Sequence, residues 1–261
     1  MKTKKILKIK IITIGFIILL QSCVSKKEIL YLQDLDSYTP TELSYNNSEI
    51  QVDDVLKITI GTLMPEAAIP FNKNFGELGQ QNQNIELMIL EGYLVSQGKT
   101  INFPVLGTIS VDGKTTNDLE KYLKERLESG GYLIDPIVMV RLLNAKVTIL
   151  GEVNIPGTFN FTENNMSFLQ ALGLAGDLTI NGNREDIIII RSIDGIQTTS
   201  HLNLTSADWL SSPYQNIKSN DVIVVNPNAA MVKSAGFIGN ASVVLAMASI
   251  ILSSIVILTN L

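Results

Sequence analysis

Two residue types that carry much of enzymatic chemistry are almost missing: the 261-residue chain has one histidine, His201, and one cysteine, Cys23. A Cys/His dyad and a metal cluster of ordinary spacing have no residues to build them, so no metal is expected. A single cysteine also forbids a disulfide within the chain. The core must be held by packing, and the roughly 210 residues between Cys23 and Lys233 suffice for one or two small domains. No G-x-S-x-G elbow is present, so a Ser/His/Asp arrangement around His201 lacks its usual setting, and a partly exposed strand position suits this histidine better. The neighbouring carboxylates Asp53-Asp54 and Glu185-Asp186 could in principle form an acid/base pair for glycoside cleavage. Adjacent strand residues point to opposite faces, however, and both pairs read as turn and surface residues. A phosphate-binding glycine loop is also lacking. No cofactor is expected, and the chain reads as a non-enzyme.

Basic charge is scarce once the N-terminus is set aside. MKTKKILKIKIITIGFIILLQSC places five lysines ahead of an apolar stretch from Ile11 to Leu20, the charged and apolar regions of a secretory signal. That stretch is shorter than the roughly 20 apolar residues a bilayer requires. It closes on Leu20-Gln21-Ser22-Cys23, which resembles the bacterial lipobox, whose cysteine is lipidated and becomes the new N-terminus. Removing residues 1–22 takes five of the 20 basic residues and none of the 25 acidic ones, leaving 15 against 25, a net charge of −10. Nucleic acid, which demands basic patches, is therefore a poor partner.

Residues 23–44 are polar and read as a tether. Val55 to Ile60 is β-branched and alternating, a strand signal, whereas 62–91, with QQNQN at its centre, reads as a long loop or insertion. From Gly92 to Thr115 short apolar runs alternate with Gly-containing turns, as in a β-meander. A helix follows, with Leu119, Tyr122, Leu123 and Leu127 on one face, Thr115 and Asp118 in capping-box positions and Gly130-Gly131 at its end. Strands are expected at 137–143, 147–150, 158–161, 186–191 and 221–225, with a second short helix at 167–175 closed by Gly176. Two echoes suggest paired α+β modules. Leu106-Gly107 to Gly113 and Leu150-Gly151 to Gly157 share L-G-x-[IV]-x-[IV]-x-G. IQVDDVLKI from Ile50 and IKSNDVIVV from Ile217 share I-x-x-x-D-V-[LI]-x-[IV].

YNNSEIQVDDVLKITI, GYLVSQGKTINFPVLGTISVDGKTTNDLEKYLKERL, DPIVMVRL and ILGEVNIPGTF resemble the polysaccharide biosynthesis and export family of Gram-negative outer-membrane lipoproteins. The marks of the resemblance are Gly98 to Gly107, Asp135-Pro136 before a Val-rich strand, and Gly151-Glu152-Val153 followed by Pro156-Gly157. It implies an α+β fold with a polysaccharide-export domain over 45–143 and a β-grasp (soluble-ligand-binding) domain over 144–227. It also implies a homo-oligomeric ring, a transported polysaccharide, and an inner-membrane polysaccharide co-polymerase, often with a tyrosine kinase, as partner. The long polar insertion at 62–91 and the single β-grasp module depart from the larger family members.

The last 25 residues, FIGNASVVLAMASIILSSIVILTNL, carry no charge. A helix over Phe237–Leu258 would be about 33 Å long, enough for the hydrocarbon core, so a transmembrane helix is expected over 236–259. Ser242, Ala246, Ser249 and Ser253 recur at spacings of four, three and four, which lines small side chains on one stripe. The stripe reads as a helix-packing face or as the wall of a pore. A closed ring of helices meets the rule that every backbone group in lipid be bonded internally. The expected role is therefore a lipid-anchored, ring-shaped outer-membrane channel for capsular or exopolysaccharide, with its body in the periplasm. Three alternatives stand beside it: a periplasmic saccharide-binding lipoprotein without a pore, a glycan hydrolase using Glu152 or Asp186, and an exporter whose last helix stays in the inner membrane.

Overall fold

A computed structural model describes residues 29–38, 48–73, 85–234, 245–250, 253–254 and 257 of the chain. It is a mixed α+β structure with two hydrophobic cores. The first unit runs through β1 (Val55–Gly61), α1 (Pro65–Ala68), α2 (Ile85–Glu91), β2 (Tyr93–Leu94), β3 (Thr100–Phe103), β4 (Gly107–Ser110), α3 (Thr116–Ser129) and β5 (Ile137–Leu142). Strands β2-β1-β5 form one antiparallel sheet, and β3-β4 a separate hairpin. Along β1, buried Leu56, Ile58 and Ile60 alternate with half-buried Lys57 and Thr59, the period of two that the sequence displays. Helix α3 answers with Leu119, Leu123 and Leu127, spaced four apart and fully buried. Its capping box forms as expected. Asp118 N donates to Thr115 Oγ1 at 3.2 Å, and Thr115 N donates to Asp118 Oδ2 at 3.2 Å. Gly131 follows with φ 67°, the left-handed closure a helix end favours.

The 62–91 stretch departs from the expected loop. It holds α1, a 3-10 turn at Ile69–Phe71 and α2, and Phe71 is buried. Asn72 stands in for a neighbouring strand: its Oδ1 accepts from Ile60 N at 2.8 Å and its Nδ2 donates to Ile60 O at 2.9 Å. Helices of four and seven residues are too short to display a 3.6-residue period, which is why the pattern of the sequence conceals them.

The second unit contains β6 (Lys146–Gly151), β7 (Gly157–Asn160), α4 (Phe168–Leu174), β8 (Gly182–Ile193), β9 (Ile196–Leu202), β10 (Val222–Pro227) and α5 (Ala229–Ser234). Its five strands lie in the order β7-β6-β10-β8-β9, with β10 parallel to β6 and every other pair antiparallel. Val147, Ile149, Ile187, Ile189 and Ile223 form the inner face and are all fully buried against Phe168 and Ala171 of α4.

One of the two sequence echoes is a shared structure. At Ile50–Asp54, Gln51 N donates to Asp54 Oδ2 at 2.8 Å, Asp54 N donates to Gln51 O at 3.3 Å, and Asp53 has φ 66°. At Ile217–Asp221, Lys218 N donates to Asp221 Oδ2 at 2.8 Å, Asp221 N donates to Lys218 O at 3.2 Å, and Asn220 has φ 67°. Each turn is joined by an isolated bridge to the capping residue of its unit's helix, Glu49 to Thr115 and Asn216 to Ser167. The same joint thus occurs twice, with opposite chain order: the turn precedes the helix in the first unit and follows it in the second. The other echo has no such correspondence, because Gly107 opens β4 whereas Gly151 closes β6. Gly151 is held there by crowding: at φ 90° a Cβ would lie 2.0 Å from Val225 O.

Three residues, Leu143, Asn144 and Ala145, connect β5 to β6. Asn144 ties the junction by accepting from Val55 N at 2.9 Å and donating to Asp53 O at 2.9 Å. Leu142 packs on both cores.

Candidate functional site

A cleft of about 740 Å³ separates the two joints. From the first unit it is lined by Gln51, Asp54 and the helix-capping stretch Thr115 to Asp118, and from the second by Ser192, Asp194, Lys218 and Ser219. Its volume lies within the roughly 300–1,000 Å³ of small-ligand sites. One corner is closed by Lys99, whose Nζ pairs with Asp194 at 2.6 Å and with Asp112 at 2.8 Å, and by Asp194 N, which donates to Gln51 Oε1 at 3.2 Å. The two carboxylates hold the Lys99 ammonium well above its ordinary pKa.

Two polar groups at this cleft stand out. Asp54 is 3% exposed, so the sequence reading of it as a surface residue is corrected: only its neighbour Asp53 faces solvent. Apart from Gln51 N on Oδ2, its carboxylate has no hydrogen-bond partner and no ion pair among the described residues. Burial pushes the carboxyl up to about 6; the Gln51 N–H opposes this and the charge of Asp53 adds to it. Ser219 Oγ is buried without a partner among the described residues. Nothing in the local sequence marks Asp54 apart from Asp221, which shares its turn and is also buried. The difference lies 30 residues from Asp221, where Arg191 reaches it with Nε at 2.9 Å and Nη2 at 2.7 Å. That guanidinium also donates to Pro213 O and Asn216 O and lies over the Tyr214 ring.

Of the catalytic candidates only His201 and Asp186 come together, without a serine nucleophile on the imidazole among the described residues. His201 sits exposed on the edge strand β9, its Nδ1 paired with Asp186 Oδ1. Neighbouring Ser200 bonds Tyr214 instead. Glu152 accepts from Thr179 Oγ1 at 2.8 Å. Glu185 and Asp186 are adjacent on β8, and among the described residues no metal-ligating cluster forms.

The far end of the second unit gathers both chain exits. Of the stretch read as a tether, residues 29–38 are docked on this unit. Leu32 N donates to Leu204 O at 3.0 Å, Gln33 N to Thr205 O at 2.8 Å, and Tyr31 Oη to Asp177 at 2.6 Å, with the Arg184 guanidinium over the Tyr31 ring. Burial and the Asp177 bond hold the Tyr31 phenol well above its ordinary pKa. At the other exit, Asn228 N donates to Asn181 O at 2.7 Å and Asn228 Nδ2 to Ile180 O at 3.1 Å. Both exits therefore hang on the loop 177–182. Strand β10 runs from the cleft at Asp221 to this loop, about 20 Å away at 3.3 Å per residue.

Cys23 and Ser242 lie outside the described residues, as does most of the expected span 236–259. Among the described residues no helix is long and apolar enough to cross a membrane. Residues 245–250, 253–254 and 257 are helical, and Ala246, Ser249 and Ser253 are exposed. The serine hydroxyls are satisfied within the helix: Ser249 Oγ donates to Ala246 O at 2.7 Å, Ser253 Oγ to Ser249 O at 2.8 Å and Ser254 Oγ to Ile250 O at 2.8 Å. Such hydroxyls need no outside partner in an apolar setting.

Residues 44–143 match the polysaccharide biosynthesis/export protein family, and residues 145–225 match the SLBB domain. The chain is similar to the EPS I polysaccharide export outer membrane protein EpsA of Ralstonia nicotianae, with 34% identity over 39% of this chain and 27% of that protein. It is 27% identical to the capsule polysaccharide export outer membrane protein CtrA of Neisseria meningitidis serogroup A, over 73% of this chain and 47% of the relative. With the capsule polysaccharide export protein BexD of Haemophilus influenzae it shares 26% identity over 73% of this chain and 46% of the relative. The matches span from about a quarter to about half the length of these relatives. With its first unit matching the export domain and its second the SLBB domain, in that order, the chain belongs to the polysaccharide biosynthesis and export family.

Proposed function

We propose that this protein is a lipid-anchored outer-membrane component of capsular or exopolysaccharide export, assembled as a ring around a polymer path. The tandem of export and SLBB domains, shared with relatives named as export outer membrane proteins, supports the process. The observation that carries the topology is the meeting of both chain exits at loop 177–182. Cys23 lies eight residues before Tyr31, so a lipid there sits within about 29 Å of that loop. Phe237 lies nine residues after Asn228, within a similar reach. A lipid and a helix tied to one end of one domain enter the same membrane most simply, and the relatives named as outer membrane proteins favour the outer one. The first unit, at the opposite end of β10, then faces into the periplasm, toward an inner-membrane polysaccharide co-polymerase. Conduction in this reading is passive, and polymer synthesis drives it.

A tag placed after Leu261 tests the topology: it becomes accessible to protease or label on intact cells, and a tag never reachable from outside overturns the outward-facing helix. Light scattering in detergent tests the ring, and a monomer favours instead a saccharide-binding lipoprotein, for which the polar cleft would be the natural site. In the 236–259 segment, leucine at Ser249 or Ser253 should impair assembly more than leucine at Val244 or Ile251, if the small stripe is the packing face.

A further inference from the structure

The carboxylate of Asp54 is built like that of Asp221 but pairs with no cationic side chain among the described residues. In both turns a buried aspartate follows a residue of positive φ and accepts the backbone N–H three residues back at 2.8 Å. In the second unit the remaining valence is met by the Arg191 guanidinium. In the first unit no described side chain takes that place, and the carboxylate lines an open cleft instead of a packed core. A buried carboxylate without a counter-charge is costly and is tolerated where a cation can arrive from outside. Around it, Thr116, Asn117 and Ser192 supply hydroxyls and an amide, and Ser219 adds a buried hydroxyl with no partner among the described residues. Such walls match a hydroxylated ligand, and the floor matches an ammonium group.

We propose that the cleft between the two units binds a saccharide bearing a free, unacetylated amine, with its ammonium on Asp54 and a hydroxyl on Ser219. The sugar class rests on the export reading; the requirement for an amine rests on the comparison of the two turns. An anionic sugar is disfavoured, because the carboxylates Glu49, Asp54, Asp118 and Asp194 outnumber the ammonium groups Lys121 and Lys218 at the same cleft.

Calorimetric titration of the full-length protein in detergent with glucosamine trimer and with N-acetylglucosamine trimer tests this. The amine trimer should bind, the acetylated one at least about tenfold more weakly, and Asp54→Asn should remove that preference. Ser219→Ala should weaken the amine trimer about fivefold. Circular dichroism confirms that each variant is folded; asparagine keeps the acceptor for Gln51 N. Equal affinity for the two trimers, unchanged binding by Asp54→Asn, or no saturable binding overturns the site. Surface polymer after deletion of the gene reads the export function separately. Lost polymer without trimer binding rejects the cleft site alone, and trimer binding with polymer intact rejects the export reading alone.

Discussion

The two aspartate turns, Ile50–Asp54 and Ile217–Asp221, have the same backbone bonds and opposite electrostatic outcomes. Asp221 is wholly buried and paired with a bidentate arginine, which is itself held by two carbonyls and an aromatic ring. Asp54 is buried almost as fully, and among the described residues its carboxylate has only the Gln51 N–H as partner. A local turn therefore dictates where the carboxylate sits, while a residue far along the chain decides whether it is structural or available. The sharpest way to break the contrast is Arg191→Met, which removes the cation and leaves Asp221 buried. A loss of about 3–5 kcal/mol is expected, read as a lower urea midpoint for the second unit.

Asp54→Asn should act in the other direction. The folded-state pKa of Asp54 is raised from its ordinary 3.8 to about 6. A raised pKa means that the folded chain binds the proton more tightly than the unfolded one. Its favourable contribution is therefore complete below about pH 4 and is lost as pH rises to about 6. At pH 7.5 the asparagine variant should be more stable by roughly 2–3 kcal/mol. Between pH 4 and 6 its stability should vary less than that of the parent protein, as thermal unfolding across that range will show. An unchanged midpoint would mean that Asp54 is solvated as an ordinary surface acid.

The helix caps extend the comparison at smaller scale. Thr115 and Ser167 each accept from the backbone N–H three residues on, at 3.2 Å in both units. Thr115→Ala and Ser167→Ala should each cost about 1 kcal/mol in chemical denaturation, and closely matched values would confirm that the two joints are energetically alike. The smallest effect is expected for Lys99→Ala. Its two ion pairs are short but exposed to water, so the unfolding midpoint should stay within error while any change fades in high salt.

What the sequence discloses of this fold follows the range of each interaction. The Thr115–Asp118 box spans three residues, and the alternation along β1 spans seven, so both can be read from the letters. The echo between residues 50 and 217 is readable for the same reason, because its bonds lie within four residues. The pairing of Arg191 with Asp221 crosses from β8 to the start of β10, and neither residue's neighbours announce it. The docking of residues 29–38 is equally silent, since a polar stretch with Tyr31 and Leu32 has no period to betray a surface that matches it. For the candidate site, the turn is legible but the burial of Asp54 is not; it depends on residues far along the chain, such as Thr116 and Ser192, which line the same cleft. The short helices at 65–68 and 85–91 escape because fewer than two turns carry no stripe.

The attachment of both chain exits to loop 177–182 also determines how the body bears force. Tension between a membrane link at Asn228 and the first unit would run lengthwise through β10, which is bonded to β6 on one side and β8 on the other. Both ladders would be loaded in shear along their whole length, so many bonds would share the strain at once. The docked N-terminal segment gives that end of the domain a second mooring through Tyr31 and Leu32, and a drag on the polymer path would be divided between two lines from one cleat.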